Sequence, residues 1–300
     1  MRVKMKNTIF TGSGVALVTP MNPDGSVNYD KLAEILEEQI IGGTDAIITC
    51  GTTGESATMS IEEHIEVIKF TVNYVNHRVP VIAGTGSNDT AVALQLSKEA
   101  EALGADALLM VTPYYNKTSQ RGLVAHFTHV ADNVNIPIIL YNVPSRTGCC
   151  IQPETAAQLA KHKNIVAIKE ASGNISAVAK LRALCGDELD VYSGNDDQIT
   201  PIMSLGGKGV ISVLANVAPK LAHDIAMLAF EGDYKESARL QTEYLDLINA
   251  LFIDVNPIPV KAAMNMMGRE VGECRLPLYR LSDEHSEALK AALINHGMIK

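Results

Sequence analysis

Residues 107–111 read Ala-Leu-Leu-Met-Val, residues 138–141 read Ile-Ile-Leu-Tyr, and residues 46–50 read Ala-Ile-Ile-Thr-Cys. Each run is short and apolar at nearly every position instead of every second one. That is the pattern of a strand buried on both faces of a parallel sheet. Comparable runs recur eight times, at Gly14–Val18, Asp45–Cys50, Pro80–Gly84, Asp106–Thr112, Pro137–Val143, Ile165–Lys169, Asp190–Gly194 and Gly209–Val213. Their starts lie 19 to 35 residues apart, the length of one strand-helix unit.

Helical patterns fill the gaps. Asn28 stands where it caps a helix carrying Leu32, Ile35, Leu36 and Ile40 on one stripe before Gly42-Gly43. Ser60 and Glu63 have the capping-box spacing, with Ile65, Ile68, Val72 and Val75 following at helical spacing. Residues 91–102 predict another helix closed by Gly104, and Pro153 suits a first helical turn. Eight such units without a Gly-rich dinucleotide fingerprint predict a closed (β/α)₈ barrel, an α/β fold. From about residue 218 onward the pattern is helical only, interrupted at Pro257-Ile-Pro259 and at Gly268. The expected organisation is a barrel over residues 1–230 and a C-terminal helical extension over 231–300, packed as one compact unit.

Charge narrows the function. Lysine and arginine total 25 against 34 acidic residues, a net of −9, which argues against a partner that is nucleic acid or an anionic membrane. No apolar run reaches membrane-spanning length, and the basic start Met1-Arg-Val-Lys-Met-Lys6 is followed by no apolar signal core. Five scattered cysteines without Cys-x-x-Cys spacing read as reduced thiols of a cytoplasmic enzyme.

In such barrels the chemistry sits at the C-terminal ends of the strands. Lys169 ends an apolar run there, so its amine is expected to face the barrel mouth with poor solvation. A neutral amine attacks carbonyls to form a Schiff base; pairing with Glu170, or reaching out to solvent, is the alternative. Tyr141 and Tyr115 suit proton transfer with Thr52 between them, or simple packing. Thr52 and Thr53, between glycines, offer hydroxyls and amides to a carboxylate, while Arg146 stands as a second carboxylate clamp or a surface arginine. His126 with His129, and Asp196 with Asp197, lack the further ligands of a metal site, so none is expected. Cys149-Cys150 read as loop thiols.

Seven stretches together resemble the pyruvate-dependent class I aldolase family that includes N-acetylneuraminate lyase. They are Gly51-Thr-Thr-Gly-Glu-Ser-Ala57, Val81-Ile-Ala-Gly-Thr-Gly86, Val111-Thr-Pro-Tyr-Tyr-Asn116, Tyr141-Asn-Val-Pro-Ser-Arg-Thr-Gly148, Ile168-Lys-Glu-Ala171, Gly209-Val-Ile-Ser212 and Asn256-Pro-Ile-Pro-Val-Lys261. The resemblance implies that Lys169 forms the Schiff base with pyruvate and that Tyr141 gives and takes protons. It links Tyr141 through Thr52 to a Tyr115 contributed by a neighbouring subunit. It implies that Thr53, the Ile211 backbone and Gly194 hold substrate, and that Arg146 holds the carboxylate of L-aspartate 4-semialdehyde. No cofactor is then needed, because the lysine itself is the electron sink.

The same resemblance implies a homo-oligomer, a dimer or a tetramer built as a dimer of dimers. Within the family the reading is a synthase of lysine and diaminopimelate biosynthesis, with a sugar-acid aldolase as the rival. Ser145-Arg146 favours the former, since a polyol tail needs no arginine there. A catalytically silent barrel acting as a scaffold is the reading from another class, and it predicts a lost lysine or tyrosine. Lysine-inhibited members bind the amino acid through positions matching Ser56, Ala57, Ile61, His64, Asn88, Val92 and Tyr114. Ile61 and Val92 replace a polar and an acidic residue in that set, so a vestigial cleft is expected.

Overall fold

The eight runs form eight strands: β1 (Gly12–Ala16), β2 (Ala46–Thr49), β3 (Val81–Gly84), β4 (Ala107–Val111), β5 (Ile138–Asn142), β6 (Ile165–Glu170), β7 (Asp190–Ser193) and β8 (Gly209–Ser212). Each pairs in parallel with the next and β8 closes on β1, a (β/α)₈ barrel, in a computed structural model that describes residues 6–300. Nearly all of the basic stretch at the chain start lies outside the described residues.

The fully apolar runs have a direct physical reason. On β4, Ala107 and Leu109 join Ile48, Ile82, Ile139, Ala167 and Ile211 inside the barrel. Leu108 and Met110 face the other way, packing with Ile47, Ile138, Leu140 and Ile168 beneath the helices. Both strand faces are therefore dry. The same alternation sends Lys169 inward with Ala167 and turns Glu170 outward with Ile168.

The first strand begins two residues earlier than the run Gly14–Val18. Gly12 pairs with Gly209 across the closing seam, where a Cβ on Gly209 would sit 2.0 Å from the Gly12 carbonyl oxygen. Gly12-Ser13 carries no apolar side chain, so periodicity could not reveal this start.

The outer helices are α1 (Tyr29–Ile41), α2 (Ile61–Val75), α3 (Thr90–Ala102), α4 (Gln120–Ala131), the short α5 (Pro144–Thr147), α6 (Pro153–Leu159), α7 (Ile175–Cys185), α8 (Ile199–Ser204) and α9 (Pro219–Phe230). Asn28 caps α1 by accepting from the Lys31 amide at 3.0 Å, and Ser60 caps α2 by accepting from the Glu63 amide at 3.2 Å. On α2 the buried stripe is His64, Val67, Ile68, Thr71 and Val75. Ile65 and Val72 flank it half-buried, because α2 packs against α1 and α3 as well as the barrel.

Beyond α9 lie α10 (Tyr234–Glu243), α11 (Leu245–Ala250), α12 (Ile258–Met266) and α13 (Asp283–Asn295). Pro257 immediately precedes α12 and Gly268, at φ +80°, follows it, as the breaks at these positions predict. Hydrogen bonds from residues 256–275 reach back to the turn after β2, beside the strand-end mouth. Among the described residues no helix is long and apolar enough to cross a membrane.

Candidate active site

Lys169 and Tyr141 are Cα partners across the β5–β6 ladder, and both side chains are buried inside the strand-end mouth. The Lys169 Nζ lies 4.5 Å from the centroid of the Tyr141 ring. Glu170 is not its counter-ion. The Glu170 carboxylate faces the helices, accepting from Asn142 Nδ2 at 2.9 Å and from the Ser172 amide at 2.7 Å. Gly194 leaves room for the lysine stem: a Cβ there would lie 3.1 Å from Lys169 Cε and 2.6 Å from Ala171 Cβ. Ile211 is buried inside the barrel on β8.

The turn after β2 supplies the next layer. Thr53 is buried, and its Oγ1 accepts from Asn256 Nδ2 at 3.0 Å. The half-buried Thr52 lines a cavity of about 440 Å³ together with Val143, Arg146 and Asn256. Arg146 sits exposed on α5, where Pro144 starts the helix, and its guanidinium donates to the Asn256 carbonyl at 3.2 Å. Lys169 and Tyr141 do not line this cavity; it runs outward from the mouth past Ser56, Ala57, Ile61, His64, Val92 and Tyr114. Of the residues matched to the vestigial cleft, Asn88 alone is outside that lining, and its carbonyl accepts from Asn116 Nδ2 at 3.0 Å. His64 Nε2 lies 2.7 Å from the Gly84 carbonyl oxygen, which only accepts, so Nε2 carries the proton and donates it. Burial pushes this imidazole's pKa down, against the opposing pull of that hydrogen bond.

Tyr115 is the outlier among the expected site residues. It is 94% exposed and holds φ at +69°, a left-handed backbone uncommon for a bulky residue. Within one chain, among the described residues, it makes no hydrogen bond to Thr52 or Tyr141.

Two of the other polar candidates, His126 and Asp196, each hold one structural hydrogen-bonding position. His126 Nδ1 lies 2.9 Å from Thr90 Oγ1. Asp196 Oδ2 accepts from the Val213 and Leu214 amides at 3.0 and 2.9 Å, fixing the turn after β8. Burial pushes its carboxyl up, opposed by Ser212 and those amides. Among the described residues no three His, Cys, Asp or Glu side chains gather as metal ligands. Cys149 and Cys150 are free thiols.

Four residues given no role from sequence, Glu55, Asn256, Lys261 and Arg275, prove central to the architecture. Lys261 is buried and donates to Glu55 Oε1 at 2.8 Å, the Glu273 carbonyl at 2.7 Å and the Thr19 carbonyl at 3.2 Å. The Arg275 amide donates to Glu55 Oε2 at 2.8 Å. With Asn256, these tie the C-terminal helices to the turn bearing Thr52 and Thr53. The available signal was a lysine ending the stretch Asn256–Lys261, whose partner lies 206 residues away.

Comparison with known proteins matches residues 9–296 to the model of the dihydrodipicolinate synthetase family. The 4-hydroxy-tetrahydrodipicolinate synthase of Acetivibrio thermocellus is 57% identical over 98% of this chain and all of its own. The dihydrodipicolinate synthase of Acinetobacter baumannii, crystallised with pyruvate, is 45% identical with a TM-score of 0.95, covering 97% of this chain and 100% of that one. The Cyanidioschyzon merolae enzyme, crystallised with lysine bound, is 38% identical with a TM-score of 0.95, covering 98% and 100%.

Proposed function

The chain belongs to the dihydrodipicolinate synthetase family, and from that premise we infer that it condenses pyruvate with L-aspartate 4-semialdehyde to 4-hydroxy-tetrahydrodipicolinate, a step of lysine and diaminopimelate biosynthesis. It is a lyase of the class I aldolase type. The relatives above carry the synthase name, which goes against the sugar-acid aldolase reading.

We assign the steps as follows. Lys169 attacks the pyruvate ketone and water leaves, giving an iminium that accepts electrons when a methyl proton departs. The resulting enamine attacks the aldehyde carbon of the semialdehyde, and Tyr141 delivers a proton to the new alkoxide. The semialdehyde's own amine then displaces Lys169 and closes the ring. Thr53, Gly194 and the Ile211 backbone hold pyruvate, and Arg146 holds the semialdehyde carboxylate through a charge-assisted pair. Thr52 relays protons from Tyr141 toward Tyr115 of a second copy. Exposure of Tyr115 supports that oligomeric reading, with a dimer or a dimer of dimers as the assembly. The barrel over 1–230 with its 231–300 extension is the unit that assembles. Free thiols at all five cysteines favour a cytoplasmic location.

The observation that carries the reading is the in-register burial of Lys169 beside Tyr141. Borohydride added with pyruvate tests it: one reduced pyruvyl adduct on Lys169 is expected. A coupled assay with pyruvate and the semialdehyde, run beside sugar-acid cleavage, tests the substrate choice.

A further inference from the structure

We propose that Asn142 and Glu170 are a positioning pair, which sets the separation of Lys169 and Tyr141 from the opposite face of the same two strands. This rests on the assignment of Lys169 and Tyr141 above. The ladder puts Tyr141 opposite Lys169 and Asn142 opposite Glu170. Successive residues of a strand point to opposite faces, so one cross-strand pair enters the mouth while the next lies under the helices.

The outer pair is buried beside a cavity of about 280 Å³, and all four of its side-chain polar atoms are hydrogen-bonded. Asn142 is 2% exposed and Glu170 is 5% exposed. Glu170 Oε2 accepts from Asn142 Nδ2 at 2.9 Å, and Glu170 Oε1 accepts from the Ser172 amide at 2.7 Å. Asn142 Oδ1 accepts from the Ile151 amide at 2.9 Å. The backbone continues the link: Ala171 N donates to the Asn142 carbonyl at 2.9 Å, and Gly194 N donates to the Glu170 carbonyl at 2.8 Å. One chain of hydrogen bonds thus connects β5, β6 and the end of β7, the strand ends that bear Tyr141, Lys169 and Gly194.

Among the described residues Glu170 forms no salt bridge. A buried carboxylate held only by N–H donors is a costly way to fill space, and an apolar pair would fill it as well. What the carboxylate adds is direction. Two acceptor oxygens on one rigid group fix Asn142 and Ser172 at once, and the side chains on the inner face move with their backbones. Condensation needs the amine and the proton donor placed within a fraction of an ångström.

Hydrogen-bond polarity supplies a specific test. Glu170→Gln turns a donor toward either Ser172 N–H or Asn142 Nδ2, both donors themselves. Asn142→Asp sets two carboxylates against each other. The double variant Asn142→Asp/Glu170→Gln restores the bonds to Ile151 and Ser172 and reverses the one between the strands, losing only the long contact of Asn142 Nδ2 with Cys150 Sγ. The carboxylate introduced on β5 would accept from Ile151 N and from the amide introduced on β6, whose oxygen accepts from Ser172 N. The readouts are the rate of borohydride trapping of pyruvate on Lys169, kcat against the pyruvate KM, and the thermal midpoint.

Each single variant is expected to slow trapping and kcat by about 10- to 100-fold, the scale of an ångström's misplacement. The double variant is expected to recover most of both. Wild-type trapping rates in folded single variants overturn the proposal. So does a double variant that regains its thermal midpoint but still traps slowly. If neither single variant folds, the double variant decides by the same criterion. An adduct on a different lysine in the unaltered protein would instead sink the assignment of Lys169, so the two failures are distinguishable.

Discussion

Lys169 and Lys261 are both buried near the strand-end mouth, 5% and 1% exposed, and they are built in opposite ways. Lys261 donates to a carboxylate and two carbonyls, which uses all three of its protons. Lys169 has an aromatic face 4.5 Å away and, among the described residues, no ion-pair partner. The adjacent acid that could have neutralised it, Glu170, is turned to the other side of the sheet by strand alternation. A lysine whose protons are all engaged holds structure together. A lysine left facing a mouth is available for covalent chemistry.

The sharpest way to break this contrast is to remove each amine in turn. Lys169→Ala is expected to reduce both pyruvate labelling and turnover to background while the fold survives, as mass spectrometry and thermal melting would report. Labelling found on Lys261 in the unaltered protein would reverse the two roles.

Lys261→Met should show the opposite profile. It leaves Glu55 buried without its cation, and breaking a buried pair in this way costs about 3–5 kcal/mol. A large fall in thermal midpoint is expected, with Lys169 still labelled in whatever remains folded. Adding Glu55→Gln should recover part of the loss. A Lys261→Met protein as stable as its parent would mean the ion pair contributes nothing to the fold.

Arg146→Ala gives a smaller effect confined to one substrate. Loss of a charge-assisted pair worth about 1.5–3 kcal/mol predicts a 10- to 150-fold weaker semialdehyde term, roughly, with pyruvate trapping retained. Loss of pyruvate trapping would make Arg146 structural, acting through the Asn256 carbonyl it touches.

The smallest effect expected is from free lysine. Val92 and Ile61 present alkyl surface to the cavity. Glu55 also lines it, but its two oxygens are occupied by Lys261 and the Arg275 amide. With no carboxylate of that lining free to meet an ammonium, half-inhibition should lie above about 1 mM, roughly −4 kcal/mol of binding. Initial rates at saturating pyruvate would check this, and strong inhibition below that concentration would show that Glu55 can leave its partners.

Most of the barrel was legible because local patterns encode it. Runs apolar at every position specify strands dry on both faces, Asn28 and Ser60 mark helix starts, and Pro257 and Gly268 bracket a late helix. Lys169 and Tyr141 were legible because each is a polar residue ending such a run. The start of β1 was not, since Gly12 pairs by backbone alone and its neighbour Gly209 arrives from the far end of the chain.

Sequence by itself therefore determined the strand-helix order, the closed sheet and the places of Lys169 and Tyr141 at the ends of its strands, because those follow from periodicity, caps and breakers within a few residues. Only tertiary structure decided how the charges divide. That Glu55 answers Lys261, that Asn256 joins Thr53 to Arg146, and that Glu170 answers Asn142 rather than Lys169 depends on contacts up to 206 residues apart and on which face each strand residue takes. A charge carries no mark of its partner along the chain; burial and hydrogen-bond geometry select the partner once the barrel has closed.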